Sequence, residues 1–125
     1  MSHIHLPHDH GADSAFVAQN MPEPCDFASL SSAFKHLSDS SRLRIFWLLC
    51  HCEECVINIS ALVGMSSPAV SHHLKLLRAH GLIVSRREGK EVYYKAADTV
   101  LAQQLHTMLE DTLEITCPGS GEVRP

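Results

Sequence analysis

Residues 65–81, MSSPAVSHHLKLLRAHG, decide the fold. Ser66 offers a side-chain oxygen to an early helix N–H, and Pro68 in the first turn gives up a donor that has no intrahelical partner. Gly81 supplies the left-handed residue on which helices end. Between those signals Val70, Leu74 and Leu77 recur at i, i+4 and i+7, which predicts one buried stripe on a helix of about four turns. The other face carries Ser71, His72, Lys75 and Arg78. It is rich in donors and holds neither an acid nor a large apolar side chain, where a solvated helix normally mixes both signs. Such a face suits a helix laid into a DNA major groove.

The flanking segments turn this helix into a module. Upstream, Val56 to Val63 reads as a short helix with Val56, Ile59, Leu62 and Val63 inward, closing at Gly64 and leaving the tight turn of a helix-turn-helix. Downstream, Leu82 to Arg87 and Glu91 to Ala96 are β-prone runs around Glu88-Gly89-Lys90, a hairpin with glycine at its tip. Helix, turn, second helix and basic hairpin in that order predict a mainly α, winged helix-turn-helix fold with a two-stranded β-hairpin wing. Ser66, Ser67, Ser71, His72 and Lys75 are then expected to approach the groove, with Arg86, Arg87 and Lys90 on phosphates.

The rest of the chain supplies a core and a scaffold. Asp26 to Leu37 predicts a helix with Phe27, Leu30, Phe34 and Leu37 on one face. Asp39 or Ser40 caps a second helix, Ser41 to about Cys50, apolar on several sides through Leu43, Ile45, Phe46, Leu48 and Leu49. Trp47, the single tryptophan, is assigned to packing. Past the hairpin, Asp98 is expected to cap a helix to about Ile115, with Leu101, Leu105, Met108, Thr112 and Ile115 along one stripe. So small a domain leaves that stripe no internal partner.

The chain therefore divides into a flexible histidine-rich arm over 1–24, one folded domain over 25–116 and a flexible tail over 117–125. The arm carries His3, His5, His8 and His10, spaced as a metal-collecting segment rather than run together as in a tag. A short helix is expected between Ala12 and Asn20. The net charge of −4 conceals a sharp division. Residues 35–95 hold nine of the ten Lys and Arg and stand at +4, while 1–34 and 96–125 each stand at −4. The positive charge coincides with the helix-turn-helix and wing, where phosphates would lie. No run of about 18 apolar residues offers a membrane span, and the N-terminus lacks the apolar core of a signal peptide, so a cytoplasmic location is expected.

Five cysteines make an odd set, and three fall in Cys50-His51-Cys52-Glu53-Glu54-Cys55. In a reducing compartment this spacing favours metal ligation or redox sensing over a disulfide framework. Thiolates at i, i+2 and i+5 can converge on one soft ion, because a turn between two helices lets the ends fold together. Cys25 or an arm histidine is the candidate for a remaining ligand, and Cys117 a further one. The alternative is three small buried cysteines with no ligand. Cys52 to Cys55 is also a C-x-x-C motif. Dithiol oxidoreductases carry theirs on an open α/β sheet, and this chain predicts one hairpin and no βαβ unit, so an enzyme and a small-molecule substrate are not expected. A purely structural zinc site is a third reading, in which chelation unfolds the chain.

In its motif order the chain resembles the ArsR/SmtB family of metal-responsive repressors over roughly residues 27–115. The matching residues are Phe34 to Asp39, Arg42-Leu43-Arg44-Ile45, Cys55-Val56, Ala69 to Leu74, Gly81-Leu82-Ile83, and Arg86 to Lys90 before Val92-Tyr93-Tyr94. The resemblance implies a homodimer built through the first and last long helices. It implies a repressor that holds a double-stranded operator and releases it on binding a soft ion, controlling metal efflux or resistance. Zn(II) or Cd(II) leads by ligand chemistry, with Pb(II) and As(III) as further candidates. A thiol-based redox or persulfide sensor of the same fold is the runner-up. Cys55 matches a family ligand, while Asn58 replaces the aspartate of that motif and Ile57 stands where some members carry a second cysteine. A second family site on the last helix is expected to be absent or altered, since Val100 replaces a histidine between Asp98 and the pair Asp111 and Glu114. His106 is read there as a surface histidine.

Overall fold

The computed structural model describes residues 5–11 and 13–114. The elements are α1 (Ser14–Gln19), α2 (Pro24–Leu37), α3 (Ser40–His51), β1 (Glu54–Cys55), α4 (Val56–Val63), α5 (Ser67–Ala79), β2 (Ile83–Glu88), β3 (Glu91–Ala96) and α6 (Val100–Leu113). The chain forms two compact units, residues 1–32 and 33–125, and their boundary falls within α2. In the first unit α1 buries no residue. His3, Cys117, Ile115 and the tail lie outside the described residues. Among the described residues no helix is long and apolar enough to cross a membrane.

The second unit is organised by α5. Ser66 accepts a hydrogen bond from Ala69 N at 3.3 Å, Pro68 sits in the first turn, and the stripe Val70, Leu74, Leu77 is buried. Gly81, at φ +69°, reverses the chain while Leu82 N donates to Leu77 O at 3.1 Å. Upstream, α4 ends on Gly64, also at φ +69°. There Gly64 N and Met65 N donate to Ser60 O at 3.0 and 3.2 Å, and Ser60 Oγ donates to Met65 O, so one serine closes the turn between α4 and α5. Phe46, Ile45 and Leu49 of α3 meet Ile59 of α4, the α5 stripe, Leu82 and Ile83 in one core. Each such side chain removed completely from water contributes roughly 1.5–3 kcal/mol.

The wing pairs Ile83↔Ala96 through Glu88↔Glu91 across a two-residue turn in which Gly89 takes φ +62°. The two-stranded hairpin of the wing is as expected, and β1 extends it to a three-stranded sheet in the order β1-β3-β2. Glu54 and Cys55 pair with Tyr94 and Tyr93 on the far side of β3. Two residues are too few for an alternation to show, which is why the sequence read this segment only as a turn.

Three further expectations are corrected. Leu62 is 59% exposed rather than inward, because α4 buries Ile59 and Val63 and turns the position before Val63 outward. The cap of α6 is Thr99, whose Oγ1 accepts from Ala102 N at 3.2 Å, while Asp98 accepts from the Gln103 side chain. The α6 stripe does find an internal partner. Ala102, Leu105 and Leu109 are buried in the chain's own core, and the outward apolar residues are Val100, Met108 and Leu113. On α2, Leu37 is buried whereas Phe34 is 48% exposed.

Candidate nucleic-acid interface and metal-ligating groups

The geometry of α5 separates its two faces cleanly. Ser66, Ser67, Ser71, His72, Lys75 and Arg78 are all exposed, and no acid lies among them. A groove of about 410 Å³ runs beside them, lined by Ser71, Leu74, Lys75, Arg78, Ala79 and Tyr94 of β3. The helix is locked in orientation by a contact that the sequence did not announce. Arg42, only 8% exposed, donates from Nε to His73 Nδ1 at 3.2 Å and from Nη1 to His36 O at 2.8 Å. His36 in turn packs its ring 4.2 Å from that of His80, at the end of α5. Burial pushes His73 and His36 below the usual imidazole range, with Arg42's charge adding to the effect in both. One signal was available: His73 falls three residues after Val70 and four before Leu77, on the buried stripe.

On the wing the three expected cations differ. Arg86 donates from Nε to Glu53 Oε1 at 2.8 Å, its Nη2 lies 2.7 Å from the same oxygen, and its Nη1 reaches Glu88 Oε2 at 2.6 Å. Its guanidinium also lies 4.8 Å from the Tyr93 ring centroid. Glu53 is held below the usual carboxylate range by the Arg86 hydrogen bond, and Arg86 is raised by its two carboxylates. Arg87 instead donates from Nε to Gly89 O at 3.2 Å, and Lys90 is exposed at the tip. Arg86 thus ties the wing to the α3–β1 connection, leaving Arg87 and Lys90 as the outward charges.

The thiols occupy three structural roles. Cys50 lies in the last turn of α3 and is half-buried. Cys52 is the C-cap of that helix, its Sγ donating to Leu48 O at 3.4 Å. Cys55 is buried at the N-cap of α4, where its side chain makes no capping hydrogen bond. Burial and the neighbouring Glu54 push the Cys52 thiol up. In the first unit Cys25 is exposed, as are His5, His8 and His10. Among the described residues no cysteine belongs to a group of three ligand atoms within 4.8 Å. The group that does meet that distance is His51, His106 and Glu110.

His106 is therefore not a surface histidine. It is half-buried on α6, in contact with Glu110 one turn on and with His51 from the end of α3. The sequence misassigned it because its partner lies 55 residues away. Burial lowers His51, as does the facing His106, with Glu110 opposing. Trp47 packs its ring 4.5 Å from that of His51. Among the described residues its buried Nε1 has no hydrogen-bond partner, and the side chain packs against the core.

Comparison with known proteins fits this arrangement. Residues 39–85 match the model of the bacterial regulatory protein family arsR. The chain is 42% identical over 69 residues to a transcriptional repressor SmtB homolog of Synechocystis, covering 55% of this chain and about half, 52%, of that relative. It is 35% identical over 120 residues to a cadmium resistance transcriptional regulatory protein CadC homolog of Staphylococcus aureus, covering 95% of this chain and 94% of that one. In fold it is similar to the homodimeric winged helix-turn-helix DNA-binding domain of a possible ArsR-family regulator from Mycobacterium bovis. The TM-score is 0.66 at 23% identity, over 84% of this chain and 98% of that one. The 35% identity to the CadC homolog, spread along nearly the whole of both chains, together with the family match over residues 39–85, makes the chain a member of the arsR family of bacterial regulatory proteins.

Proposed function

We infer that this protein is a homodimeric, metal-responsive transcriptional repressor that reads duplex DNA with α5 and the wing and lets go of it when thiolates of segment 50–55 take up a soft ion. The observation that carries the DNA reading is the acid-free, fully exposed face of α5, set on a helix whose opposite face is locked into the core. Serines and His72 provide base-edge donors and acceptors, Lys75 and Arg78 add charge, and Arg87 and Lys90 extend it along the backbone. The relatives named for repression and cadmium resistance support the regulatory half. The exposed apolar side chains Val100, Met108 and Leu113 on α6, and Phe34 on α2, support a second copy as partner.

The donor chemistry of Cys50, Cys52 and Cys55 fits Zn(II), Cd(II) or a trivalent arsenic species, with Cys25, His3, His5, His8, His10 and Cys117 as reserves. Among the described residues those thiols do not meet as they stand, and gathering them draws on the short connection between α3 and α4. That connection carries Glu53, which holds Arg86, and β1, which pairs with β3. Gathering the thiolates therefore competes with the contacts that fix the wing, and this is the link from ligand to DNA. Linkage makes it reciprocal, so DNA weakens metal binding by the same factor.

The test is DNA release by Cd(II) on the reduced, anaerobic protein, compared with Cys55→Ser. Serine is favoured at an N-cap, so the variant should keep its fold and its DNA affinity. Release should be lost. A variant that leaves DNA at the wild-type Cd(II) concentration would place the sensing groups elsewhere. A response to oxidant with none to metal would favour the redox sensor.

A further inference from the structure

His51, His106 and Glu110 meet where the end of α3 packs on α6, and their arrangement is that of a chelating set. The two Nε2 atoms lie 3.1 Å apart. Nitrogens each 2.0–2.1 Å from a tetrahedral ion stand about 3.4 Å apart, so the imidazoles are within a few tenths of an ångström of one edge of such a site. Glu110 closes the third corner, with Oε2 3.8 Å from His51 Nε2 and Oε1 in contact with His106 Nε2. The three side chains are 16%, 26% and 11% exposed, so most of their rotamer freedom is already spent by packing. Trp47 stands against the His51 ring, and the i, i+4 spacing on α6 sets His106 and Glu110 on one face.

We propose that His51, His106 and Glu110 form a divalent-cation site of the two-imidazole, one-carboxylate kind, taking Zn(II) and borderline ions such as Co(II) and Ni(II) rather than thiophilic ones. The site needs no cysteine, and so stands independently of the thiolate reading. Its ligands join two elements that are 55 residues apart in sequence. Occupancy ties the C-terminal end of α3, which leads directly into Cys52 and β1, to the helix that carries Met108 and Leu113. At an ion concentration 100 times the Kd, the folding equilibrium shifts about 100-fold toward the folded chain. The alternative is a hydrogen-bonded triad that holds only protons.

The experiment is a Zn(II) titration of the full-length, reduced protein under anaerobic conditions, read by ¹⁵N NMR of the histidine rings. Co(II) absorption is followed in parallel. His51 and His106 should shift before the protein is saturated, with Nε2 as the bound atom. His51→Gln and His106→Gln should each weaken Co(II) binding at this site at least about 100-fold. The thiolate-to-cobalt charge-transfer band, which reads the cysteines, should keep its amplitude in both variants. The wild-type NMR arm needs no substitution, so a variant that folds poorly does not blur the result. Rings of His51 and His106 that stay unchanged to saturation overturn the proposal. Ring shifts without a charge-transfer band support it and sink the thiolate reading instead.

Discussion

Arg86 and Arg87 are neighbours on β2 with the same charge, yet the salt dependence of DNA binding should tell them apart. Arg86 faces two carboxylates, Glu53 and Glu88, at 2.6–2.8 Å, whereas among the described residues the Arg87 side chain bonds to the Gly89 carbonyl and to no carboxylate. A cation already neutralised by two anions displaces no counterion from DNA. A cation without a carboxylate displaces about one per phosphate, and lowers the slope of log K against log salt by about 0.9 when it is removed. Between about 50 and 200 mM salt, a fourfold change, one lost contact alters the loss of affinity by about 3.5-fold, and two in a dimer by about 12-fold. Arg87→Ala should therefore flatten the slope by about 0.9 per protomer. Arg86→Ala should leave the slope unchanged and lower affinity only through a looser wing. Fluorescence anisotropy of a labelled duplex across that salt range measures both. Equal flattening by the two variants would mean that Arg86 abandons its carboxylates for a phosphate, and the assignment of Arg86 as the wing's tether would fail.

Three other outcomes follow from the packing. Met108→Glu should give a folded monomer by sedimentation, while Leu105→Glu should unfold the chain, because Leu105 lies in its own core and a charge there goes unpaired; a Met108→Glu dimer would contradict the assembly. Arg42→Met removes the donors to His73 and to the His36 carbonyl and should cost about 2–3 kcal/mol in urea unfolding, with little change in the slope of free energy against denaturant. His73 is held below its unfolded value near 6.5, so the unfolded chain binds the extra proton first. Its contribution is intact above that pH and lost as pH falls through the lower folded value, so thermal stability should drop below about pH 6.5 and drop less in His73→Gln.

Local chemistry accounts for what was legible. The cap at Ser66, the stops at Gly64 and Gly81, the stripe of Val70, Leu74 and Leu77 and the hairpin tip at Gly89 are each written within a few residues of where they act. Sequence and structure agree to the residue on the bounds of α4 and β3, and the polar face of α5 is exposed. Features that depend on distant partners were not legible. Nothing near His106 indicates His51, nothing near Arg86 indicates Glu53, and Arg42 carries no mark of burial. The sequence points the α6 stripe at a subunit interface because nothing in it shows that α3 reaches that helix. Leu105 and Leu109 face inward, while Val100, Met108 and Leu113 face out. Pairing of β1 with β3 was hidden for the same reason, its two residues being intelligible only beside Tyr93 and Tyr94.

The division of α5 into two faces has an evolutionary consequence. Ser66, Ser67, Ser71, His72, Lys75 and Arg78 are exposed, whereas the core contacts of the helix run through Val70, His73, Leu74 and Leu77. Substitutions on an exposed surface away from caps usually change stability by less than about 0.5 kcal/mol. Of the six, only Ser66 doubles as a cap. The remaining five can be rewritten almost freely, so a duplicated copy can drift to a new binding sequence without first acquiring stability to spare.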